Sequence, residues 1–309
     1  MKVYFSLDAN LQVIGLTAVA IGNFDGLHLG HQEILRVLVE QAAAANLNSL
    51  VFTFSPHPEK IFGQEPIRMI QTLEQRLEGL KKLGVKTVLV MPFNDHFSRL
   101  TAQEFIEAVL WSRLQARLVV VGEDFRFGRN REGNADLLSQ TGRKLGLRVL
   151  TVPPVIRDGQ TVSSSLIRDL LERGEVDLAA RYLGRVYEID GTVIKGNSRG
   201  QSLGIPTANI SSQNEILPPG VFITETKVQG KSFPSVTNIG QRPTFGPSPA
   251  IIESHIIDFH GNLYGEKVRT SLYHKIRDEK KFSGEAELKL QVNLDIERAK
   301  EFWARKTGK

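Results

Sequence analysis

The 309-residue sequence contains no cysteine at all. That excludes disulfides, thiolate nucleophiles and cysteine-ligated metal centres, and it fits a reducing compartment. Long apolar runs are also missing, none approaching the roughly 20 residues of a membrane span. The opening MKVYFSLDAN has one lysine and no apolar segment, so no leader or spanning helix is expected and the expected location is cytoplasmic. A strong charge of one sign is absent too. The net charge is +5, and its basic residues are scattered, as in Lys81-Lys82, Arg126 to Arg131 and Lys280-Lys281, without the continuous stripe of a nucleic-acid surface. The expected partners are small anionic molecules, with no nucleic acid and no membrane, and a homo-oligomer is left open. With 41% hydrophobic and 24% charged residues, the chain has ordinary globular composition and enough length for two domains.

What is present centres on Ala18 to Leu35, AVAIGNFDGLHLGHQEIL. A short apolar run breaks at Gly22, and apolar residues return at helical spacing in Ile34, Leu35, Leu38 and Val39. This is a buried strand, a glycine turn and a helix N-terminus, whose unpaired N–H groups and dipole attract phosphate. Gly22, Gly26 and Gly30 let the backbone approach a ligand closely. His28 and His31, three residues apart, share one face of the first turn, so both imidazoles can donate to one anion. A plain βα-turn with two half-exposed histidines stays open. Metal ligation by this pair would need further ligands, and no cysteine supplies one.

The first half alternates apolar strands with amphipathic helices. Strands are expected at Ala18–Ile21, 49–54, 86–91, 117–121 and 148–152, with capping boxes at Thr72-x-x-Gln75 and Thr101-x-x-Glu104, the latter opening a helix to about Leu114. Five strands separated by helices imply a parallel, Rossmann-like α/β sheet, with ligands at the carboxyl ends of the strands. Three more segments fall at those ends. Ser55-Pro56-His57-Pro58, followed by Phe62, reads as a rigid extended loop. Gly122 to Arg129 alternates Phe and Arg, suiting either edge packing or a planar ring system. Val162 to Arg168 opens a helix with serines, either as caps or as a second anion site.

From Arg185 the texture changes to short β-type runs at 187–194, 221–228, 251–259 and 268–276. These imply a small antiparallel barrel or sandwich ending in a helix from Glu285 to about Lys300. The expected domains are 1–184 and 185–309. Within the second, Gly191 to Asn209 is neither a Walker A loop nor a dinucleotide fingerprint, and a flexible hairpin stays open. Its Pro-Thr-Ala-Asn end places the neutral oxygens of Thr207 and Asn209 two residues apart, which suits Mg²⁺. Glu253 and His255 alternate onto one strand face.

GNFDGLHLGHQ resembles the HxGH signature of the nucleotidylyltransferase superfamily in the form seen in bacterial FAD synthetases. TFSPHPEKIF, VGEDFRFG and SSSLIR resemble further segments of those enzymes. The Gly191–Asn209 stretch resembles the GxxxGxxxGxPTAN element of riboflavin kinases, and PPGVF, NIGQRPTF, ESHIIDF and LYG extend the likeness to about residue 300. The resemblance implies a bifunctional riboflavin kinase and FMN adenylyltransferase, with ATP as co-substrate, Mg²⁺ as cofactor, and riboflavin, FMN and FAD as substrate and products. It implies ATP contacts in the first domain from Gly22, Asn23, Phe24, Asp25, Gly26, His28, His31, Ser164, Ser165 and Arg168. FMN contacts are implied from Pro58, Phe62, Asp124 and Phe127. In the second domain it implies ATP contacts from Gly191, Gly196, Arg199, Gly200, Gly204, Pro206, Thr207 and Asn209, with Mg²⁺ on Thr207 and Asn209. The implied catalytic residues are His28, His31 and Arg168 in the first domain and Glu253, as base, in the second. The chain departs from the usual pattern at Asp124 (often Asn), Gln201 (usually Arg) and Ile205 (commonly Phe). The departure at Gln201 leaves open an adenylyltransferase with a binding-only second module. A flavin-responsive regulator and a nucleotidylyltransferase for a different phosphate also stay open.

Overall fold

The computed structural model describes residues 1–7, 15–63, 67–195, 205–240 and 251–307. By its internal contacts the chain divides into two compact units, Met1–Ser164 and Ser165–Lys309. Each is built on its own sheet.

In the first unit, strands β1 (Lys2–Tyr4), β2 (Thr17–Ile21), β3 (Asn48–Phe54), β4 (Thr87–Met91) and β5 (Ala116–Gly122) precede a short ribbon, β6 (Arg126–Phe127) with β7 (Gly133–Asn134). Then comes β8 (Arg148–Val152). The main sheet has the order β1-β4-β3-β2-β5-β8, and every pairing in it is parallel. Every residue of β2 and of β4 is buried, which explains their unbroken apolar reading: a parallel strand is covered on both faces and does not alternate. One apolar layer contains Leu35, Leu38 and Leu80, the other Phe105, Ile106, Leu110 and Leu138. β1 is a sixth strand beyond the five expected. Its three residues, only partly buried at the sheet edge, are too few to set a period.

The helices are α1 (Leu29–Ala44), α2 (Pro58–Phe62), α3 (Leu73–Lys82), α4 (Asp95–Ser98), α5 (Ala102–Glu104) and α6 (Ala135–Lys144). Both capping boxes form, at Thr72 with Gln75 and at Thr101 with Glu104. The helix opened by Thr101 does not continue as a regular α-helix. From Phe105 to Arg113 it widens into a π-helix, with Leu114 N–H bonded to the Val109 carbonyl. The Ser55–Pro58 segment is extended only as far as His57. Pro58 then starts α2, because a proline at the first helical position forfeits no hydrogen bond, while His57 caps the helix by accepting from Glu59 N–H at 3.2 Å. A hairpin of β9 (Ile156–Arg157) and β10 (Gln160–Thr161) closes the unit.

The second unit holds α7 (Ser164–Glu172), which crosses the division, α8 (Val176–Leu183), and a closed barrel. Its strands are β11 (Tyr187–Ile194), β12 (Ala208–Ser212), β13 (Gly220–Val228), β14 (Lys231–Gly240), β15 (Ile251–Ile256) and β16 (Lys267–Arg277), in the order β11-β12-β15-β14-β13-β16. The boundary expected at residue 185 follows the change in sequence texture; by contact α8 lies against β16 and β11. β12 and β14 were not resolved as separate strands from sequence. β14 carries Ser, Pro and Thr where an apolar period would be needed. The barrel interior explains this, since Thr224, Thr226, Ser235, Thr237 and Ser254 are fully buried. They bond to one another at 2.7–3.3 Å, which offsets the cost of burying hydroxyls.

The C-terminal helix α9 (Glu285–Thr307) runs well past Lys300 and packs on β13 and β14 through Val292, Ile296 and Ala299. Its buried anchor is Asp295, 1% exposed, which receives Nε and Nη2 of Arg277 at 3.0 and 2.8 Å. Asp295→Ala strands a largely buried guanidinium, so urea unfolding is expected to show a loss of about 3 kcal/mol. A loss under about 1 kcal/mol would mean that the pair does not hold α9 in place.

Candidate active site

The sheet order contains a reversal. From β2 the chain steps outward to β3 and β4, then returns to lay β5 on the other side of β2. A parallel sheet leaves a crevice at such a reversal, outside the carboxyl ends of the two strands. A cleft of about 460 Å³ lies there, lined by Gly22, Asn23 and Phe24 after β2 and by Gly122, Asp124 and Phe127 after β5. Phe54, His57 and Pro58, from the end of β3 onward, and Val152 to Val155, from the end of β8 onward, also line it. That volume accommodates a nucleotide or a ring system of similar size.

The turn from β2 into α1 has an unusual backbone. Phe24, Gly26 and Leu27 take φ of 51°, 86° and 43°, and only Gly26 adopts such angles without strain. Buried groups around the turn hold it there. The Asp25 carboxylate, 1% exposed, accepts from the N–H groups of Ile70 and Gln71 at 3.0–3.3 Å. A Cβ on Gly26 would sit 2.9 Å from Ile70 Cδ1, so the glycine is also required by close approach. The Asn23 carbonyl accepts from Thr53 Oγ1 at 3.1 Å and from Arg76 Nη1 at 2.6 Å, while Arg76 Nη2 reaches the Phe54 carbonyl at 3.0 Å. Burial pulls the Arg76 guanidinium below its ordinary pKa, and nearby Asp25 opposes that shift.

His28 is the N-cap of α1. Its Nδ1 accepts from His31 N–H at 3.3 Å, so its neutral form keeps the proton on Nε2. The two rings stack with centroids 3.7 Å apart, and Phe24 meets His31 edge-on at 5.2 Å. The shared face expected for the pair is thus a stacked one, and one nitrogen of His28 is already used in capping. A Cβ on Gly30 would press within 3.2 Å of the His28 ring. Ser164, the last residue of the first unit, donates from Oγ to the Asp25 carbonyl at 2.8 Å.

Of the residues implied for this domain, Gly22, Asn23, Phe24, His28, His31, Pro58, Asp124, Phe127 and Ser164 line one cleft. Asp25 and Gly26 belong to the same turn but do not line the cleft. Ser165 and Arg168 belong to α7 in the second unit. Phe62 closes α2, and its side chain lies outside the described residues. The sequence reading missed the aromatic wall, in which Phe54, Phe93 and Phe97 pack edge to face at 5.1–5.9 Å and Phe125 stacks on Phe127 at 5.3 Å. It also missed α3 as a functional support, because a capping box identifies a helix and not the turn moulded on it.

On the barrel, Asn209 on β12, Glu253 on β15 and Asn238 on β14 are consecutive cross-strand partners. Their neighbours Ser254 and Thr237 are buried in the barrel interior, so all three occupy the outer face. His255 shares that face with Glu253, and its Nδ1 donates to the Pro206 carbonyl at 2.9 Å, tying the Pro-Thr-Ala-Asn segment to β15. Gly191 sits in β11, where a Cβ would collide with Ile210 and with the Ser211 carbonyl at 2.6 Å. Gly196, Arg199, Gly200, Gly204 and Gln201 lie outside the described residues. Among the described residues no group of three or more His, Cys, Asp or Glu side chains assembles to hold a metal, and no helix is long and apolar enough to cross a membrane.

Comparison with known proteins matches two family profiles to successive parts of the chain. The FAD synthetase family profile matches residues 12–166, and the riboflavin kinase profile matches residues 183–303. Over 289 residues the chain is 37% identical to the bifunctional riboflavin kinase/FMN adenylyltransferase of Haemophilus influenzae, covering 93% of this chain and 94% of that one. It is 36% identical to the Escherichia coli K12 protein of the same description, over 92% of each chain. A solved structure described as a macrolide-efflux protein, from Streptococcus pneumoniae, aligns with a TM-score of 0.88 at 30% identity, covering 97% of this chain and 99% of that one. The chain is thus a two-domain flavin-nucleotide enzyme by its profiles. It belongs to the bifunctional riboflavin kinase/FMN adenylyltransferase family.

Because Asp25 satisfies two buried N–H groups, Asp25→Ala is expected to cost about 2 kcal/mol of stability. Thermal unfolding reads this directly. An unchanged midpoint would show that the turn keeps its shape without the carboxylate.

Proposed function

We propose that each domain carries one of the two reactions of the family, divided near residue 185. The C-terminal domain transfers the γ-phosphoryl group of ATP to the ribityl hydroxyl of riboflavin, giving FMN. The N-terminal domain joins FMN to the adenylyl group of a second ATP, giving FAD and pyrophosphate. The observation that carries this reading is the cleft at the reversal between β2 and β5, where a helix capped by His28 meets an aromatic wall.

The two sites face different chemical problems. A hydroxyl is a poor nucleophile at neutral pH, so phosphorylation gains from a positioned base. Glu253, on the outer face beside Asn209 and Asn238, takes that proton as the oxygen bonds to phosphorus. Thr207 and Asn209 offer hard, neutral oxygens next to this carboxylate, a donor set that fits Mg²⁺. The ion supplies charge neutralisation for the ATP phosphates when bound.

In the first domain the nucleophile is the FMN phosphate, whose second pKa of about 6 leaves it ionised at neutral pH. No base is needed there. One oxygen of that phosphate attacks the α-phosphorus of ATP and pyrophosphate leaves. His28, His31, Ser164, Ser165 and Arg168, with the backbone N–H groups at the start of α1, stabilise the charge gathered on the phosphates. Phe127 and Asp124 with Pro58 and Phe62 hold the flavin ring, and Gly22 and Asn23 let ATP lie close to the backbone.

The test is conversion of riboflavin with ATP and Mg²⁺, resolving FMN and FAD over time. Glu253→Ala is expected to slow FMN formation by about 10²-fold or more while still making FAD from supplied FMN. His28→Ala is expected to accumulate FMN, with FAD formation down about 10²-fold. The reverse pattern would exchange the two assignments. Wild-type rates in both variants would refute them.

A further inference from the structure

The ladder between β2 and β3 ends at Ile21 opposite Phe52, with Gly22 N–H bonded to the Phe52 carbonyl at 3.1 Å. Beyond that point the strands part. β2 runs into the phosphate-binding turn, and β3 into the loop that carries His57 and Pro58. The next carbonyls along the two chains, Asn23 and Phe54, are bridged by one side chain, the guanidinium of Arg76 on α3, at 2.6 and 3.0 Å.

We propose that Arg76 is a positioning residue for adenylyl transfer: its buried fork fixes the separation of the ATP-side and flavin-side walls of the cleft. The inference rests on the assignment of that cleft to FMN adenylylation. Asn23 and Phe54 both line the cleft, whereas Arg76 does not, so it acts through them. An arginine only 3% exposed is an expensive way to fill space, since desolvation of the cation outweighs what two neutral carbonyls and the nearby Asp25 charge return. An apolar side chain would pack α3 on the sheet at lower cost. What the arginine adds is geometry: a planar group whose two nitrogens meet two acceptors at once, which a lysine cannot reproduce.

The neighbourhood points the same way. Asp25 is held by the N–H groups of Ile70 and Gln71 at the approach to α3, and Leu27 lies against Gly79 on α3. The turn therefore rests on α3 and its approach, and the hydrogen bonds of Arg76 reach both walls. Attack of the FMN phosphate on the α-phosphorus needs the two substrates aligned, and a displacement of about 1 Å lowers such a rate about 10²-fold.

The experiment uses the full-length protein and separate steady-state assays for the two reactions. Arg76→Met is expected to lower kcat for FAD formation from FMN about 10²-fold, with KM for FMN and ATP within about threefold of wild type. Arg76→Lys, which keeps the charge but not the fork, is expected to recover part of the rate. Riboflavin phosphorylation by the other domain reports that the chain is intact, and it is expected to be unchanged. A purely structural role would lower the unfolding midpoint and leave kcat at wild-type level below it, which would overturn the inference. If Arg76→Met does not fold, Arg76→Lys decides: a wild-type kcat overturns the proposal, and a reduced kcat with a native unfolding midpoint sustains it. His28→Ala run in parallel separates the two readings. If it leaves FAD formation intact, the site assignment fails. If it abolishes FAD formation while Arg76→Met does not, only the role of Arg76 fails.

Discussion

The N-terminal domain depends on one constraint, the shape of the backbone between Gly22 and His28. Three of these residues, two of them not glycine, hold positive φ, an arrangement that costs energy at Phe24 and Leu27. It persists because the turn's own Asp25 carboxylate is held by the N–H groups of Ile70 and Gln71 just before α3, the Arg76 guanidinium grips it from α3, and the hydroxyls of Thr53 and Ser164 bind its carbonyls. Release of that grip would let the turn relax. The N-terminus of α1, with its capping histidine, would then no longer face the cleft.

The two domains solve phosphate chemistry with different backbones. A parallel sheet brings helix N-termini and loops together at one edge, so the site proposed there draws on main-chain donors and a few cations, suited to a nucleophile that is already charged. A closed antiparallel barrel has no such edge. In the proposed function its chemistry falls to side chains in register on the outer face, Asn209, Glu253 and Asn238, where a carboxylate suits a nucleophile that must lose a proton. The interior hydroxyl chain lies among buried apolar side chains such as Phe222, Ile239, Ile252 and Leu272, so β14 and β15 carry polar residues on both faces.

Much of this was legible in the sequence because local signals and global fold agree. The strands of the first domain are apolar without interruption since both faces are covered, and both capping boxes form where Thr72 and Thr101 announce them. The GNFDGLHLGHQ stretch located the cleft within a few residues. What was hidden depends on contacts distant in sequence. Arg76 reads as a surface position of an amphipathic helix until its partners 53 and 22 residues upstream are known. β14 reads as a loop until the polar barrel interior is seen. Pro58 looked like a loop-stiffener, and only the capping bond of His57 shows it to be a helix start. The π-helix after Glu104 has no mark in the sequence.

The most direct test of the account is hydrogen exchange of the full chain with FMN and a non-hydrolysable ATP analogue, against the free protein. The account requires slowed exchange at the amides of residues 22–31, where α1 begins, and of residues 123–127 after β5. Protection confined to barrel strands β12 and β15, with residues 22–31 exchanging as in the free protein, would contradict it.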